Sequence, residues 1–175
     1  AEGEAEAEAG AEDVDVDLAY ETINAENDNN DGHEQRLLER LRKDFEPLFK
    51  PRKFRLEPFG SYVTNLGLAG SEAGGRSDLD VCLLFYGFRP DTLENKDVRD
   101  SLVLPTIQKL GSWLGRQPGF TIKNIIRTAK VPIVTFDTKE LSVDISVQSP
   151  AGVLSSWHLR DLCRSGWPGR LRALA

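Results

Sequence analysis

The chain has 175 residues, 39% of them hydrophobic, with two cysteines, no methionine and a formal net charge of -6. That length and apolar content suit one globular domain with its own core. Cys82 and Cys163 lie far apart and show no metal-ligand spacing, which excludes a disulfide framework and points to a reducing, intracellular setting.

No apolar run approaches the roughly 18 residues a membrane helix needs, and no basic-then-apolar leader is present. No membrane partner is therefore expected, and cytoplasm, nucleus and mitochondrion all stay open. The absence of methionine implies a lost initiator or a chain cut from something longer.

Charge divides the chain unevenly. Thirteen of the 28 acids fall in residues 1–35, which hold no Lys or Arg, so the remaining 15 acids face all 22 Lys and Arg of the body. Residues 1–32, from the AEGEAEAEAG repeat through DVDVD, read as a disordered acidic tail, because they bury too little surface to offset chain entropy. It reads as a solvating arm; a polyanion mimic lying over the basic body is the sharper alternative.

Order is expected from about Gly32. Leu37, Leu38, Leu41, Phe45, Leu48 and Phe49 recur at helical spacing and predict an amphipathic helix, assigned to 33–50 and stopped by Pro51. KFRLEPF predicts a short strand that delivers Gly60-Ser61 at its end. LDVCLLFY, residues 79–86, predicts the next strand, after a glycine-rich turn. Asp97 to Leu114 reads as one helix with a kink or late start at Pro105. FTIKNIIRT, VPIVTFD and LSVDISV predict three strands, the last two joined as a hairpin through residues 137–140. Helical spacing resumes from Val153 to about Arg164. The order predicts an α/β or α+β fold with a mixed sheet flanked by helices.

Side chains two apart on a strand share a face, so Asp78 and Asp80 point the same way and Leu79 and Val81 point into the core. Two carboxylates that close repel unless a positive charge lies between them. Hard oxygen ligands select Mg²⁺ or Mn²⁺, and a pair of such ions needs a further carboxylate. Asp144 supplies it: in LSVDISV, Val143, Ile145 and Val147 alternate with Ser142, Asp144 and Ser146, placing Asp144 on a polar face. Gly60-Ser61 closes a strand and opens a short helical turn, where free backbone N–H groups favour phosphate. Three carboxylates for two cations and a small-residue turn for a triphosphate together describe a nucleotidyl-transfer site.

FGS at 59–61, SDLD at 77–80 and VDIS at 143–146 resemble the DNA polymerase β-type nucleotidyltransferase superfamily. Within it the chain is most similar to the terminal RNA uridylyltransferases and noncanonical poly(A) polymerases, over roughly Lys53 to Ser156. The resemblance implies a catalytic palm at 51–150, followed at 151–175 by the start of a helical central domain to which helix 33–50 also belongs. It implies that Asp78 and Asp80 hold both metals, that Asp144 binds the metal activating the acceptor 3′ hydroxyl, and that Gly60, Ser61 and Ser77 hold the nucleotide. Ser155 and Ser156 fall at the pair placed near the nucleotide sugar.

The implied reaction is template-independent transfer of UMP or AMP from NTP to an RNA 3′ end, releasing pyrophosphate. A noncatalytic docking module in an RNA-processing assembly, with a protein partner, is the alternative; a small-molecule or protein acceptor is a third. Sixteen residues separate Ser61 from Asp78, longer than the family spacing, with AGSEAGGR as the excess. Gln148, Ser149 and Ser155 stand where many members have asparagines. The chain stops at Ala175, where the base-selecting helical domain is expected. Arg116, Lys123, Arg127, Lys130, Arg160 and Arg164 are read as a solvated face, with an RNA track as the alternative. His33 and His158 read as surface residues, and Trp113, Trp157 and Trp167 as core or lobe contacts.

Overall fold

The computed structural model describes residues 32–64, 77–88 and 95–164. Residues 1–31 of the acidic segment, the glycine-rich stretch 69–76 and Trp167 lie outside them. Helix α1 (His33–Phe49) forms where the leucine and phenylalanine spacing predicts it, with Leu37, Leu38, Leu41, Phe45 and Phe49 as its buried stripe. Strand β1 (Phe54–Phe59) runs into Gly60 and a single helical turn, α2 (Ser61–Thr64).

Strand β2 (Ser77–Phe85) begins early enough to include Asp78. Asn95 then caps α3 (Lys96–Val98), its side-chain oxygen accepting from the Asp97 N–H at 2.9 Å. A wider, π-type turn over Arg99–Val103 leads into α4 (Leu104–Leu114). The stretch expected as one helix from Asp97 is thus helical in successive pieces, with the late start at Pro105 that the sequence allowed. Pro105 has no N–H for the carbonyl one turn back, and the chain adjusts just before it, the Leu104 N–H reaching back to the Arg99 carbonyl.

Strands β3 (Thr121–Ile126), β4 (Ile133–Asp137) and β5 (Leu141–Val147) follow, and α5 (Pro150–Arg164) ends the described chain. Helix α5 starts before Val153 because Pro150, with its fixed φ and no N–H, suits a first helical position. The β4–β5 hairpin closes as predicted, with the Thr138 N–H donating to Leu141 O at 2.8 Å. The strand order is β1-β2-β5-β4-β3. β2 and β5 are parallel and the other neighbours antiparallel, giving a mixed sheet with flanking helices, as the sequence predicts.

One face of the sheet is the core. Leu79, Val81 and Leu83 of β2 join Val143, Ile145 and Val147 of β5 in one buried cluster with the stripes of α1 and α4. Phe45, 0% exposed, meets Phe49 and Trp113 edge-on, with ring centroids 5.8 and 5.3 Å apart. The other face carries the acids and meets α5, where a Cβ on Gly152 would approach the Phe59 ring to 3.0 Å.

The turn between β5 and α5 depends on Gln148, buried with φ 55°. Its amide acts as an added peptide unit, Oε1 accepting from the Phe85 N–H at 2.8 Å and Nε2 donating to Phe85 O at 3.4 Å. Among the described residues no helix is long and apolar enough to cross a membrane.

Glu57, only 7% exposed, is the buried acid of edge strand β1. Burial lifts its carboxyl from 4.5 to about 7, with Arg42 and Arg55 pulling it partly back. A raised carboxyl favours the fold below pH 4.5 and loses that advantage as pH rises toward 7. Glu57→Gln should therefore gain about 2 to 3 kcal/mol on the native protein between pH 4.5 and pH 8, measured by urea unfolding at both. Phe45→Ala should lose about 3 to 5 kcal/mol in the same assay, the range for emptying a packed aromatic site.

Candidate active site

Strand alternation sets the acids on one face. Leu79 and Val81, 1% and 0% exposed, take the core side of β2. Asp78 is exposed and Asp80 half-buried on the other side. Parallel pairing puts Asp80 directly opposite Asp144 on β5, across strands about 4.8 Å apart.

The alternation in β5 holds with one difference. Ser146 shares the Asp144 face but is buried, its hydroxyl donating to Val81 O at 3.4 Å. Opposite it lies Cys82, whose thiol is pushed up to about 11 by burial, with hydrogen bonds to Ser146 and the Ser149 backbone holding it partly down. Cys82 is thus an unreactive floor beneath the acids.

The Asp80 carboxyl is raised first by burial, then by the charges of Asp144 and Asp78. Asp144 Oδ1 is buried with no hydrogen-bond partner. Among the described residues no three acidic, histidine or cysteine side chains converge as a ready metal cluster. The aspartates stand side by side along two strands, and their oxygen donors and the orphaned Asp144 atom fit a hard divalent cation held between them.

Gly60 has φ 71°, and a Cβ there would overlap Asp80 Oδ2. Glycine is needed twice over, for the backbone angle and for the close approach. The Gly60 N–H donates to Ser156 Oγ at 2.8 Å, and that hydroxyl donates to Gly152 O at 2.8 Å. Thr64 Oγ1 donates to Gly60 O at 3.1 Å. The turn is therefore pinned to α5 and to its own helical turn.

The structure brings Asp78, Asp80, Asp144, Gly60, Ser61 and Ser156 to one end of the sheet, with Ser61 exposed and Ser156 buried. Ser155 is exposed on α5, while Ser77 opens β2 and its side chain lies outside the described residues. Sequence reading missed Glu57, since a single acid in FRLEPF carries no sign of burial. It also grouped Arg160 with a basic surface track, and that grouping is corrected: Arg160 is 7% exposed. Arg116, Lys123, Arg127 and Lys130 are exposed, Lys123 pairing with Asp137 at 3.1 Å. His33 and His158 are exposed, as expected.

Gly60→Ala should lower stability by about 1 to 3 kcal/mol through its strained backbone and the Asp80 overlap. Gly87→Ala is the control, because Gly87 has φ 84° with nothing within 4 Å of an added Cβ. Denaturant unfolding of the two variants should show the larger loss at Gly60.

Comparison with known proteins bears on the same arrangement. Residues 13–160 match the family described as poly(A) RNA polymerase, mitochondrial-like, central palm domain. Among solved structures, the GLD-2/RNP-8 complex is 19% identical with TM-score 0.60, over 79% of this chain and 49% of that one. The noncanonical poly(A) polymerase complex GLD-2 - GLD-3 is 19% identical with TM-score 0.59, over 86% of this chain and 46% of that one. Terminal uridylyl transferase 4 from Trypanosoma brucei with bound UPU is 21% identical with TM-score 0.54, over 78% and 40%. At these identities the likeness is one of fold, and this chain spans less than half the length of those chains. No curated protein matches the chain. The family match covers most of the sequence and includes all three aspartates, so the chain belongs to the mitochondrial-like poly(A) RNA polymerase central palm family.

Proposed function

We propose that this chain is the catalytic palm of an RNA nucleotidyltransferase that moves a nucleoside monophosphate, UMP or AMP, from NTP to an RNA 3′ end. The observation that carries the reading is the buried, unpartnered Asp144 Oδ1 beside Asp80, whose own carboxyl is raised by burial and by its two acidic neighbours. Nothing in a core-packed strand requires such an arrangement. A site for cations and a nucleotide does.

In this reading Asp78 and Asp80 hold two Mg²⁺ or Mn²⁺ ions and Asp144 shares the one on the acceptor side. Bound there, the ions would lower the pKa of the RNA 3′ hydroxyl and neutralise the triphosphate. The protein's own part is positioning. The parallel β2–β5 pair fixes the separation of Asp80 and Asp144, so little carboxylate reorganisation is needed when the substrates arrive.

Gly60 and Ser61 receive the triphosphate at the end of β1, Gly60 by close backbone approach and Ser61 by its exposed hydroxyl. Ser155 stands on the nucleotide side, and Ser156 contributes by holding Gly60 in place. Helix α5 is the root of the helical domain that would complete base selection.

A second reading, a noncatalytic docking module, draws on edge strand β3, where Ile125 and Ile126 are 43% and 39% exposed. Titration calorimetry of Mg²⁺ and a nonhydrolysable NTP separates the two. Metal-dependent nucleotide binding is expected, lost at least tenfold in the Asp78→Ala, Asp80→Ala double variant and in Asp144→Ala. Equal binding by native and variant proteins would sink the assignment of these carboxylates, and no binding by the native chain favours the docking module.

A further inference from the structure

We propose that Arg160 is the fixed cation that receives the phosphate chain of the incoming nucleotide where α2 packs on α5; the inference rests on the nucleotidyl-transfer reading above. Gly152, Ser156 and Arg160 recur every four residues and share one face of α5. The first lies against the Phe59 ring and the second accepts the Gly60 N–H at 2.8 Å. Successive turns of α5 thus follow the chain from the end of β1 into the Gly60-Ser61 turn. Arg160 stands one step further, about 6 Å along the axis from Ser156, on the helix against which α2 packs.

The condition of Arg160 is what calls for a ligand. It is 7% exposed and the one buried Lys or Arg among the described residues. Its Nε has no hydrogen-bond partner. Its ion-pair contact among the described residues is Asp161 Oδ1 at 3.9 Å, on a side chain 67% exposed. That distance is beyond a hydrogen bond, so the buried Nε–H is left without an acceptor and its ion pair is a long one to an exposed carboxylate.

A phosphate chain matches that need. Its oxygens accept from the planar guanidinium fork in pairs, with charge assistance that a neutral ligand cannot provide. The site's aspartates repel the same phosphates, and a cation held beyond the glycine turn offsets part of that repulsion. Burial keeps the side chain ordered before the ligand arrives.

The test is calorimetry of the full chain with magnesium pyrophosphate and with a nonhydrolysable NTP, beside Arg160→Gln, Arg160→Lys and Asp80→Ala. Arg160→Gln is expected to weaken both ligands at least tenfold, with Arg160→Lys intermediate. Its melting temperature should stay at or above the native value, because a buried charge with an unpaired Nε–H has been removed. A merely structural arginine would show the reverse: lower melting temperatures in the variants with binding unchanged, which overturns the inference. Pyrophosphate binding by Arg160→Gln within twofold of native, when Asp80→Ala has lost it, overturns this inference alone and leaves the carboxylate site standing. No binding by the native chain overturns both.

Discussion

The parallel pairing of β2 with β5 is the constraint on which the rest of the structure depends. It sets Asp80 against Asp144, which are 64 residues apart in sequence, at adjacent-strand distance. Parallel strands cannot be joined by a tight turn, so the chain between them must cross over. Here that connection contains α3, α4, β3 and β4. Much of the fold's length serves to bring two carboxylates side by side.

Such a pairing is tolerated because the two faces of the sheet do opposite jobs. Leu79, Val81 and Leu83 interlock with Val143, Ile145 and Val147 in the core shared with α1 and α4. That packing holds the strands in register against the repulsion of the acids on the other face. Beneath the acids lies a buried polar layer of Glu57, Cys82 and Ser146. Burial keeps Glu57 largely protonated below pH 7 and Cys82 as a thiol, so neither adds a full negative charge there.

Helix α5 is the second organising element. Gln148, held at φ 55° and bonded through its amide to Phe85, turns the chain from β5 back toward the acidic face. Ser156 then links α5 to Gly60, and the contact between Gly152 and Phe59 supports the same seam. The glycine turn, the helix and the acids are therefore mechanically connected. A displacement of α5 would be felt at Gly60 first, and through Gly60 at Asp80.

The sequence by itself determined the elements, because their signals are local. Helical spacing defined α1 to its ends, strand alternation defined β5, and two aspartates with one core residue between them had to share a face. The motifs FGS, SDLD and VDIS were legible for the same reason, as was the family to which they belong. The π-type turn ahead of Pro105 was not legible, since it reflects how α4 meets the core after the proline has removed a donor. Nor were the buried states of Glu57, Ser146 and Arg160. A glutamate or arginine reads as surface until packing decides otherwise, and burial depends on which distant elements cover it. Only the tertiary structure could decide that Gly60 touches Asp80, that Ser156 holds Gly60, and that Asp144 keeps an oxygen without a partner. Those facts arise where segments far apart in the chain meet, and no local pattern encodes them.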